Sequence, residues 1–329
     1  MDAWTAEIRR WPMLIIFIFG ETSNLLSVFV LARSKLRKNT CSLYLLGASI
    51  SNTICIFVGL LYFVISSGFE YSFVSKTRGL CKFLPFIYYS TLFLASWFIL
   101  LACIDRYCST HLRAKIRQFS HINTAKWFII FLPCISFILH IHILIYIDWI
   151  KVGLCSFIAF NYLLFFYAYY VAIYAFMIPI LYIVFSVLTI NNVRRTKKTM
   201  ILVIKRNGTN IRPKKRLQTL DAQLLRMLLV QVISFFILTM PLAVWNVYLG
   251  ISYYRPKSAA TTSLEGFLSV NFRLLTFINL SSTCIVYVVT SRLFRAELWA
   301  LFRCQWFKKT NKNERQFRVF FISQRIAPA

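Results

Sequence analysis

Seven long apolar runs constrain the fold of this chain more than any other feature of its sequence. They cover residues 12–32, 42–66, 83–104, 127–147, 161–190, 222–250 and 267–290. A helix of about 20 apolar residues crosses the hydrocarbon core of a bilayer. Only 15% of the residues are charged, against about 25% in soluble domains, so the chain lacks the polar surface of a soluble protein. The sequence predicts an all-α membrane protein, a seven-transmembrane helix bundle.

The basic residues predict the orientation of this bundle. Of the 38 Lys and Arg residues, 29 lie on one side of the predicted membrane, 8 lie on the other, and Arg273 lies inside the last span. Basic loops stay cytoplasmic, so the N-terminus is expected outside and the C-terminus inside. The expected organisation is an extracellular tail over 1–11, the helical domain over 12–290, an amphipathic helix on the membrane surface over 291–304 and a cytoplasmic tail over 305–329.

The composition also narrows the classes of function. A formal net charge of +28 would suit a nucleic-acid binder only on a soluble basic face, so we expect no nucleic-acid partner. The basic runs suit anionic membrane lipids and a cytoplasmic protein partner, and both readings stay open. We find no glycine-rich phosphate loop, no His-Glu-x-x-His helix and no close carboxylate pair, so we expect no enzyme, cofactor or metal. His140 and His142 should face different directions on a helix.

Cys81 and Arg106 mark the two ends of the third predicted helix. Of nine cysteines, only Cys81 and Cys155 fall in predicted outer loops, where disulfides persist. We predict a bond between them, with two free thiols as the alternative. Arg106 follows Cys81 by 25 residues, which at about 1.5 Å per residue is roughly one bilayer thickness. Asp105 can hold the guanidinium of Arg106 at the inner end through a charge-assisted pair.

The triplet Asp105-Arg106-Tyr107, at this spacing from Cys81, resembles that of the rhodopsin-like G-protein-coupled receptors. Landmarks of that family occur in most of the helices: Gly20 and Asn24, Trp127, Pro179, Pro241, and Tyr287 with Phe294. The resemblance covers residues 12–304. It implies a plasma-membrane receptor that binds an extracellular peptide or other small ligand and activates a heterotrimeric G protein. The segment 224–229 further resembles invertebrate neuropeptide receptors of the FMRFamide-like group, which implies a neuropeptide ligand.

The resemblance assigns roles to residues at the inner end and in the core. Asp105, Arg106 and Tyr107 are expected to couple to the G protein, and Asp221 is expected to pair with Arg106 in the inactive state. Capping of the sixth helix is the alternative role for Asp221. The expected polar core consists of Asn24, Asn52, Asn279 and Tyr287. Cys304 is expected to be palmitoylated, with a plain thiol as the alternative.

Several family positions carry unusual residues. Asn52 replaces the usual sodium-binding aspartate, which predicts weak sodium sensitivity because an amide is neutral. The seventh-helix motif has Cys284 in place of its proline, so this helix need not kink there. Thr239 and Val187 replace a tryptophan and a tyrosine that usually relay ligand binding. A divergent, silent receptor is therefore an alternative, as is a small-solute transporter, although the internal repeats typical of transporters are missing from the sequence.

The predicted ligand-binding residues are Tyr62, Tyr88, Tyr89, Asn246, Arg273 and Phe277. Tyr88 stands where amine receptors have an aspartate, which disfavours amine ligands, and Phe277 stands where retinal would need a lysine. Ionisable residues within spans are rare and usually functional. We expect Arg273 to meet an acidic or carbonyl group of the ligand. Snorkelling to the headgroups, or a pair with Glu265, is the alternative.

Overall fold

The computed structural model describes residues 2–65, 77–150, 154–207, 215–252 and 254–303. Within these ranges the description omits the side chains of residues 2–9, 149, 150, 154–157, 160, 175, 197, 200–207 and 215–221. Cys304 and the predicted tail over 305–329 lie outside the described residues.

Seven long helices, α1 to α7, account for most of the described chain, and a shorter helix, α8, follows them. The bounds are Asp2–Leu31 for α1, Thr40–Cys55, Ile56–Leu60 (a π-helical turn) and Leu61–Phe63 for α2, Arg78–Thr110 for α3, Ile122–Tyr146 for α4, Phe160–Val171, Ala172–Met177 (π-helical) and Ile178–Asn207 for α5, Lys215–Ser252 for α6, Ala259–Ser281 and Thr283–Thr290 for α7, and Arg292–Phe302 for α8. Short helices at Ser34–Arg37 and Ala114–Arg117 lie between the long ones.

The predicted fold class is confirmed. By length and hydropathy, six described helices can each cross a membrane, and the two segments of α7 count as a seventh span when they are taken together. Every run predicted from the sequence therefore coincides with one of these helices. The chain is a multi-pass membrane protein.

Several helices extend beyond the apolar runs that predicted them. α1 begins at Asp2, within the predicted tail 1–11, and α5 continues to Asn207. α7 begins at Ala259, after the N-cap Ser258, whose Oγ accepts a hydrogen bond from the backbone N of Thr261 at 3.2 Å. Hydropathy measures only the length of chain in hydrocarbon, whereas polar residues and caps can continue a helix into water.

A β-hairpin between α4 and α5, not predicted from the sequence, marks one end of the bundle. Strand β1, Ile147–Ile150, pairs antiparallel with β2, Leu154–Phe157. Asp148 on β1 accepts from Arg78 Nη2 at 2.6 Å and lies 3.1 Å from Lys82 Nζ. These contacts attach the hairpin to the start of α3. We call this the hairpin end, and the opposite end, where α8 lies, the α8 end.

A glycine lets α1 and α7 approach closely in the middle of the bundle. A Cβ atom at Gly20 would lie 2.3 Å from Ser281 Oγ, closer than real Cβ contacts, and 3.1 Å from Ser281 Cβ, which is tighter than most of them. One turn further along α1, Asn24 Nδ2 donates to the backbone oxygen of Leu280 at 3.0 Å. The missing side chain at Gly20 thus places Asn24 against α7.

α7 bends by 46° at Ser282 even though it has no proline there. Ser282 Oγ donates to the Asn279 oxygen at 2.9 Å, and Thr283 Oγ1 donates to the Leu280 oxygen at 3.0 Å. Asn24 donates to the same Leu280 oxygen from α1. Because side chains satisfy the carbonyls at the break, the helix can bend without the loss of a donor that proline causes. The expectation that α7 need not kink at this place was wrong.

Candidate functional site

An aromatic cluster surrounds Arg273 in the half of the bundle nearer to the hairpin end. The guanidinium carbon of Arg273 lies 4.4 Å from the centre of the Phe63 ring, a cation–π distance. The Phe277 ring lies 6.3 Å from the Phe63 ring and 6.0 Å from the Tyr88 ring, and Tyr88 is 4.8 Å from Tyr89. Four of the predicted ligand-binding residues therefore lie together.

The sequence did not identify Phe63 as part of this cluster. Tyr62, which was predicted, borders the cluster through its ring contact with Phe63 at 5.5 Å. The π-helical turn Ile56–Leu60 precedes both residues and inserts extra chain per turn, so an α-helical periodicity cannot predict which residue faces inward. Asn246 is half-buried on α6, and its side chain makes no hydrogen bond to the other described residues.

The charge of Arg273 has no acidic partner among the described residues. Glu265, the alternative partner on α7, instead accepts from Lys257 Nζ at 2.6 Å and from the Tyr248 hydroxyl at 3.0 Å. The predicted alternative, a pair between Glu265 and Arg273, is therefore not formed. Arg273 remains able to bind an anionic or carbonyl group from outside the bundle.

Three tyrosines on α5 add hydroxyl groups to this region. The hydroxyls of Tyr169, Tyr170 and Tyr174 are buried and have no hydrogen-bond partner in the part of the chain that the structure describes. The rings of Tyr170 and Tyr174 stack at 4.5 Å. An unpaired buried hydroxyl costs about 1–3 kcal/mol, and each of these can donate to a ligand carbonyl or carboxylate.

A second feature, a groove of about 610 Å³, lies between α3 and α4. Its walls are apolar except for Thr124, and they include the stacked rings of Trp127 and Phe131, 5.3 Å apart. The Trp127 side chain is 61% exposed, so this wall faces the lipid. None of the predicted ligand-binding residues lines the groove. Its chemistry suits hydrocarbon chains rather than a polar ligand.

The predicted coupling residues lie at the α8 end. Arg106 and Asp105 are 3% and 5% exposed, and Arg106 donates to Asp105 Oδ2 from Nη2 at 2.7 Å and from Nε at 3.2 Å. The other oxygen of Asp105 accepts from Ser120 Oγ at 2.7 Å. The Arg106 guanidinium also reaches Asn39 Oδ1 at 3.4 Å. The arginine is thus held by the acid beside it, in the pair that the sequence suggested.

Of the other residues predicted to lie at this end, the structure describes the side chain of Tyr107 but not that of Asp221. The Tyr107 ring packs on Phe185 of α5 at 5.8 Å. Asp221 lies on α6, but its side chain is outside the described residues, so the pair between Arg106 and Asp221 stays a prediction. Palmitoylation of Cys304 also stays a prediction.

The predicted polar core forms across α1, α2, α6 and α7. Asn52 Nδ2 donates to Thr283 Oγ1 at 3.2 Å, and Asn279 Nδ2 donates to Thr239 Oγ1 at 3.3 Å. Tyr287 is fully buried, and its ring contacts that of Phe294 on α8 at 5.4 Å. Buried polar groups in an apolar bundle need partners, which explains why these residues converge.

The oxygen atoms of this core that could face a sodium ion include no carboxylate from the predicted core residues. The amide oxygens of Asn24, Asn52 and Asn279 are buried without a hydrogen-bond partner in the described part of the chain. All three are neutral, and a hard cation is held best by carboxylate oxygens. Weak sodium sensitivity therefore stays our prediction.

The cysteines of the hairpin end are consistent with a bridge from α3. Cys81, in the first turn of α3, is disulfide-bonded. Cys155 lies on β2 opposite Trp149, and its side chain is outside the described residues. The pairing of Cys81 with Cys155 stays a prediction.

The two histidines of α4 do not face different directions. Their rings lie 6.2 Å apart, stacked at 28°, and both contact the ring of Tyr169. His142 Nδ1 is hydrogen-bonded to the Tyr162 hydroxyl at 2.6 Å. The expectation from helical spacing was wrong because both rings pack on Tyr169 of α5, which brings them together. No group of three or more metal-ligating residues occurs among the residues described.

Comparison with known proteins identifies a family and two distant relatives. The model of the family "7 transmembrane receptor (rhodopsin family)" matches residues 23–288. C-C chemokine receptor type 1 of Macaca fascicularis is 34% identical over 95 residues, and that of Homo sapiens is 37% identical over 93 residues. Each alignment covers 28% of this chain and 25% of the relative, so the match spans a quarter of the relatives' length. The likeness to FMRFamide-like receptors stays a prediction.

Proposed function

Because the chain belongs to the rhodopsin family of seven-transmembrane receptors, we propose that it binds an extracellular ligand and activates a heterotrimeric G protein. The hairpin end faces outward at the plasma membrane and the α8 end faces the cytoplasm. The split of the basic residues, 29 against 8, supports this orientation. A disulfide between Cys81 and Cys155 anchors the hairpin to α3.

The observation that carries the proposal is the state of Arg106. A buried arginine is costly unless an acid pairs with it, and Asp105 on the same helix is its partner here. A guanidinium with several donors can bind backbone carbonyls of a second protein once it is uncovered. The α8 end thus contains a guanidinium that can bind a second protein once its pair with Asp105 opens. A coupling site requires such a group.

Arg273 supports the ligand part of the proposal. Its charge lies among aromatic rings and has no acid partner within the described residues. A ligand with a carboxylate or exposed carbonyl groups would satisfy it through a charge-assisted hydrogen bond, while Phe63, Tyr88 and Phe277 would contact apolar side chains. Peptides combine both features, so a peptide is the proposed ligand. The similarity to C-C chemokine receptors adds C-C chemokines as a second class of candidate.

Guanine-nucleotide exchange tests the proposal directly. Membranes with verified surface expression are combined with a panel of heterotrimeric G proteins and with pools of neuropeptides or C-C chemokines. We expect one pool to raise exchange and Arg106→Ala to abolish the rise. Arg113→Ala is the matched control, since it removes an exposed arginine from the next segment of chain and leaves Asp105 intact.

Two negative results of the exchange assay would distinguish the proposed function from its alternatives. A rise that survives in Arg106→Ala would contradict the role of this arginine. If no combination of G protein and ligand pool gives nucleotide exchange, G-protein activation by these ligands is contradicted. The silent receptor and the transporter are then favoured, and a solute-flux assay distinguishes between them.

A further inference from the structure

A serine hydroxyl attaches the segment between α3 and α4 to the buried pair of Asp105 and Arg106. We call this segment, residues 111–121, the basic loop. Ser120 Oγ donates to Asp105 Oδ1 at 2.7 Å, while Asp105 Oδ2 accepts from Arg106 Nη2 at 2.7 Å. Thr40 Oγ1 of α2 lies 3.3 Å from the same Ser120 oxygen. One carboxylate therefore holds both the arginine and the loop.

Most of the basic loop is exposed. Its short helix, Ala114–Arg117, has four residues, a length that is not stable as an isolated helix. Residues 112–115 and 117–119 are exposed, and the side chain of Phe119 is 69% exposed. Segments with few buried contacts open locally at a small cost while the rest of the protein stays folded. The loop can therefore open while the long helices remain packed.

Basic residues precede Ser120 at the spacing that many protein kinases select. Arg117 lies three residues before it and Lys115 five residues before it, and both are exposed. Kinases of the basophilic class bind an extended segment, in which their acidic groups pair with an arginine three residues before the hydroxyl. Thr40 and Ser109 also follow an arginine by three residues, but they lie on α2 and α3. Ser120, in a loop, is the better substrate of the three.

We propose that Ser120 is a phosphorylation site for a basophilic protein kinase, and that its phosphate detaches the basic loop from Asp105. In the transfer, Ser120 Oγ forms a bond to the γ-phosphorus of ATP, and the bond between that phosphorus and the β,γ-bridging oxygen breaks. ADP leaves, and the hydroxyl proton passes to a base of the kinase. The inference rests on the proposed function only for the cytoplasmic position of the α8 end, where kinases and ATP are present.

The phosphate replaces a hydrogen-bond donor by an anion. Phosphoserine carries a charge of about −1.5 to −2 at pH 7, so it cannot keep the hydrogen bond to the Asp105 carboxylate, and the two anions repel each other. Asp105 is 5% exposed, and two adjacent anions at such a buried position are costly. Its partner Arg106 already donates to it from Nε and Nη2. Phosphorylation therefore favours the opened loop, in which the phosphate lies in water.

Phosphorylation of the purified receptor tests the site. Full-length receptor in detergent micelles is incubated with ATP and a calmodulin-dependent protein kinase, which selects arginine three residues before the hydroxyl, and mass spectrometry of peptides measures the phosphate. We expect phosphate on Ser120 in the parent, none at this position in Ser120→Ala, and at least about tenfold less in Arg117→Gln, which loses a charge-assisted pair with the kinase. Arg113→Gln removes an exposed arginine outside this spacing. It is the matched control and should be phosphorylated as the parent is.

Hydrogen exchange of the loop amides measures the detachment. In the attached loop the backbone N of Ser120 donates to the Arg117 oxygen at 3.1 Å. We expect exchange of the loop amides to rise at least about tenfold on phosphorylation, because a hydrogen bond to a charged group is lost. Ser120→Ala should raise exchange without the kinase, whereas Ser120→Thr keeps the hydroxyl and should not. Ser109→Ala is the matched control, since the Ser109 hydroxyl donates within α3 to the Arg106 oxygen at 3.1 Å.

Two results in micelles would overturn the proposal. Absence of phosphate from Ser120 would overturn the site, and phosphorylation of a synthetic peptide of residues 111–123 in the same reaction would show that the closed loop, and not the sequence, prevents it. Unchanged or slower exchange after phosphorylation, as a new pair between the phosphate and Arg106 would give, would overturn the detachment. Phosphate on Ser120 together with faster exchange would support both.

The proposed orientation is tested separately, because both ends of the receptor are accessible in micelles. Receptor is isolated from cells in which the same kinase has been activated. Phosphate on Ser120 in this material would support the phosphorylation site and the cytoplasmic position of the α8 end together. If Ser120 is phosphorylated in micelles but not in these cells, the result supports the site and counts against that position.

Discussion

Gly20→Ala tests the close approach of α1 and α7 that positions the polar core. The added Cβ would lie 2.3 Å from Ser281 Oγ and 3.0 Å from Ile56 Cδ1. Ser281 Oγ has no hydrogen-bond partner among the described residues, so it can rotate, but Ser281 Cβ at 3.1 Å cannot move without its helix. We expect the substitution to force α1 and α7 apart.

The expected magnitude combines two opposing effects. Overpacking of a close contact costs about 1–3 kcal/mol, while replacement of glycine by alanine within a helix gains about 0.5–1 kcal/mol. The net loss should lower the apparent melting temperature by about 1–5 °C. In a Ser281→Ala background the contact with Oγ disappears while those with Cβ and Ile56 Cδ1 stay, so Gly20→Ala should remain destabilising, by a smaller amount. Gly266→Ala is the matched control, because a Cβ there meets nothing within 4 Å, and it should stabilise.

A thiol-reactive fluorogenic dye follows the unfolding in detergent micelles. The buried thiols outside any disulfide that become reactive on unfolding are those of Cys41, Cys55, Cys103, Cys108 and Cys284. All variants are heated at one rate, since the unfolding of membrane proteins is often irreversible. If Gly20→Ala stabilises the protein as Gly266→Ala does, the close approach of α1 and α7 is refuted.

Three other experiments test separate parts of the site. Arg273→Gln should lower ligand potency at least about tenfold at equal surface expression, since a charge-assisted hydrogen bond contributes about 1.5–3 kcal/mol, and unchanged potency would contradict the contact. Asp221→Ala should raise basal nucleotide exchange if this acid locks Arg106, whereas unchanged basal exchange favours the helix-capping role. Non-reducing peptide mapping should recover Cys81 linked to Cys155, and labelling of both thiols in the unreduced protein would exclude the bond.

The sequence predicted the spans because a strong physical cost determines them, and the family resemblance indicated the polar core. In lipid every backbone polar group must be satisfied within the segment, so each crossing needs one apolar helix of a fixed length. A buried amide in such a helix costs several kcal/mol without a partner. Asn24, Asn52 and Asn279 therefore had to meet other polar groups, and the structure places them together across α1, α2, α6 and α7.

The features that sequence reasoning missed depend on contacts between neighbouring helices. The bend of α7 occurs at Ser282 and Thr283, whose hydroxyls donate to carbonyls of the preceding turn. The sequence has no proline there that would indicate a bend. His140 and His142 converge because both rings pack on Tyr169 of α5. The hydrogen bonds of Gln223 on α6 with Ser291 and Leu293 at the start of α8 have no sequence signal, since only the fold brings these helices together. Each of these depends on distances between helices that residue spacing along one helix does not determine.

Two of the unusual residues of the core have polar partners on neighbouring helices. Asn52 is bonded to Thr283, and Thr239 is bonded to Asn279. Val187 needs no partner, because it is 49% exposed on the lipid-facing surface.

The bond between Thr239 and Asn279 is the described polar link between α6 and α7 in the core, and α7 also carries Arg273. We expect this bond to couple ligand binding to G-protein activation. Thr239→Val removes the hydroxyl with little change in volume, so it should lower maximal ligand-stimulated exchange while ligand affinity stays unchanged. Thr189→Val is the matched control, since the Thr189 hydroxyl bonds only within α5, to the Phe185 oxygen at 2.7 Å. An equal loss of maximal exchange in both variants would mean that a buried hydroxyl affects stability alone. The bond between α6 and α7 would then not couple ligand binding to exchange.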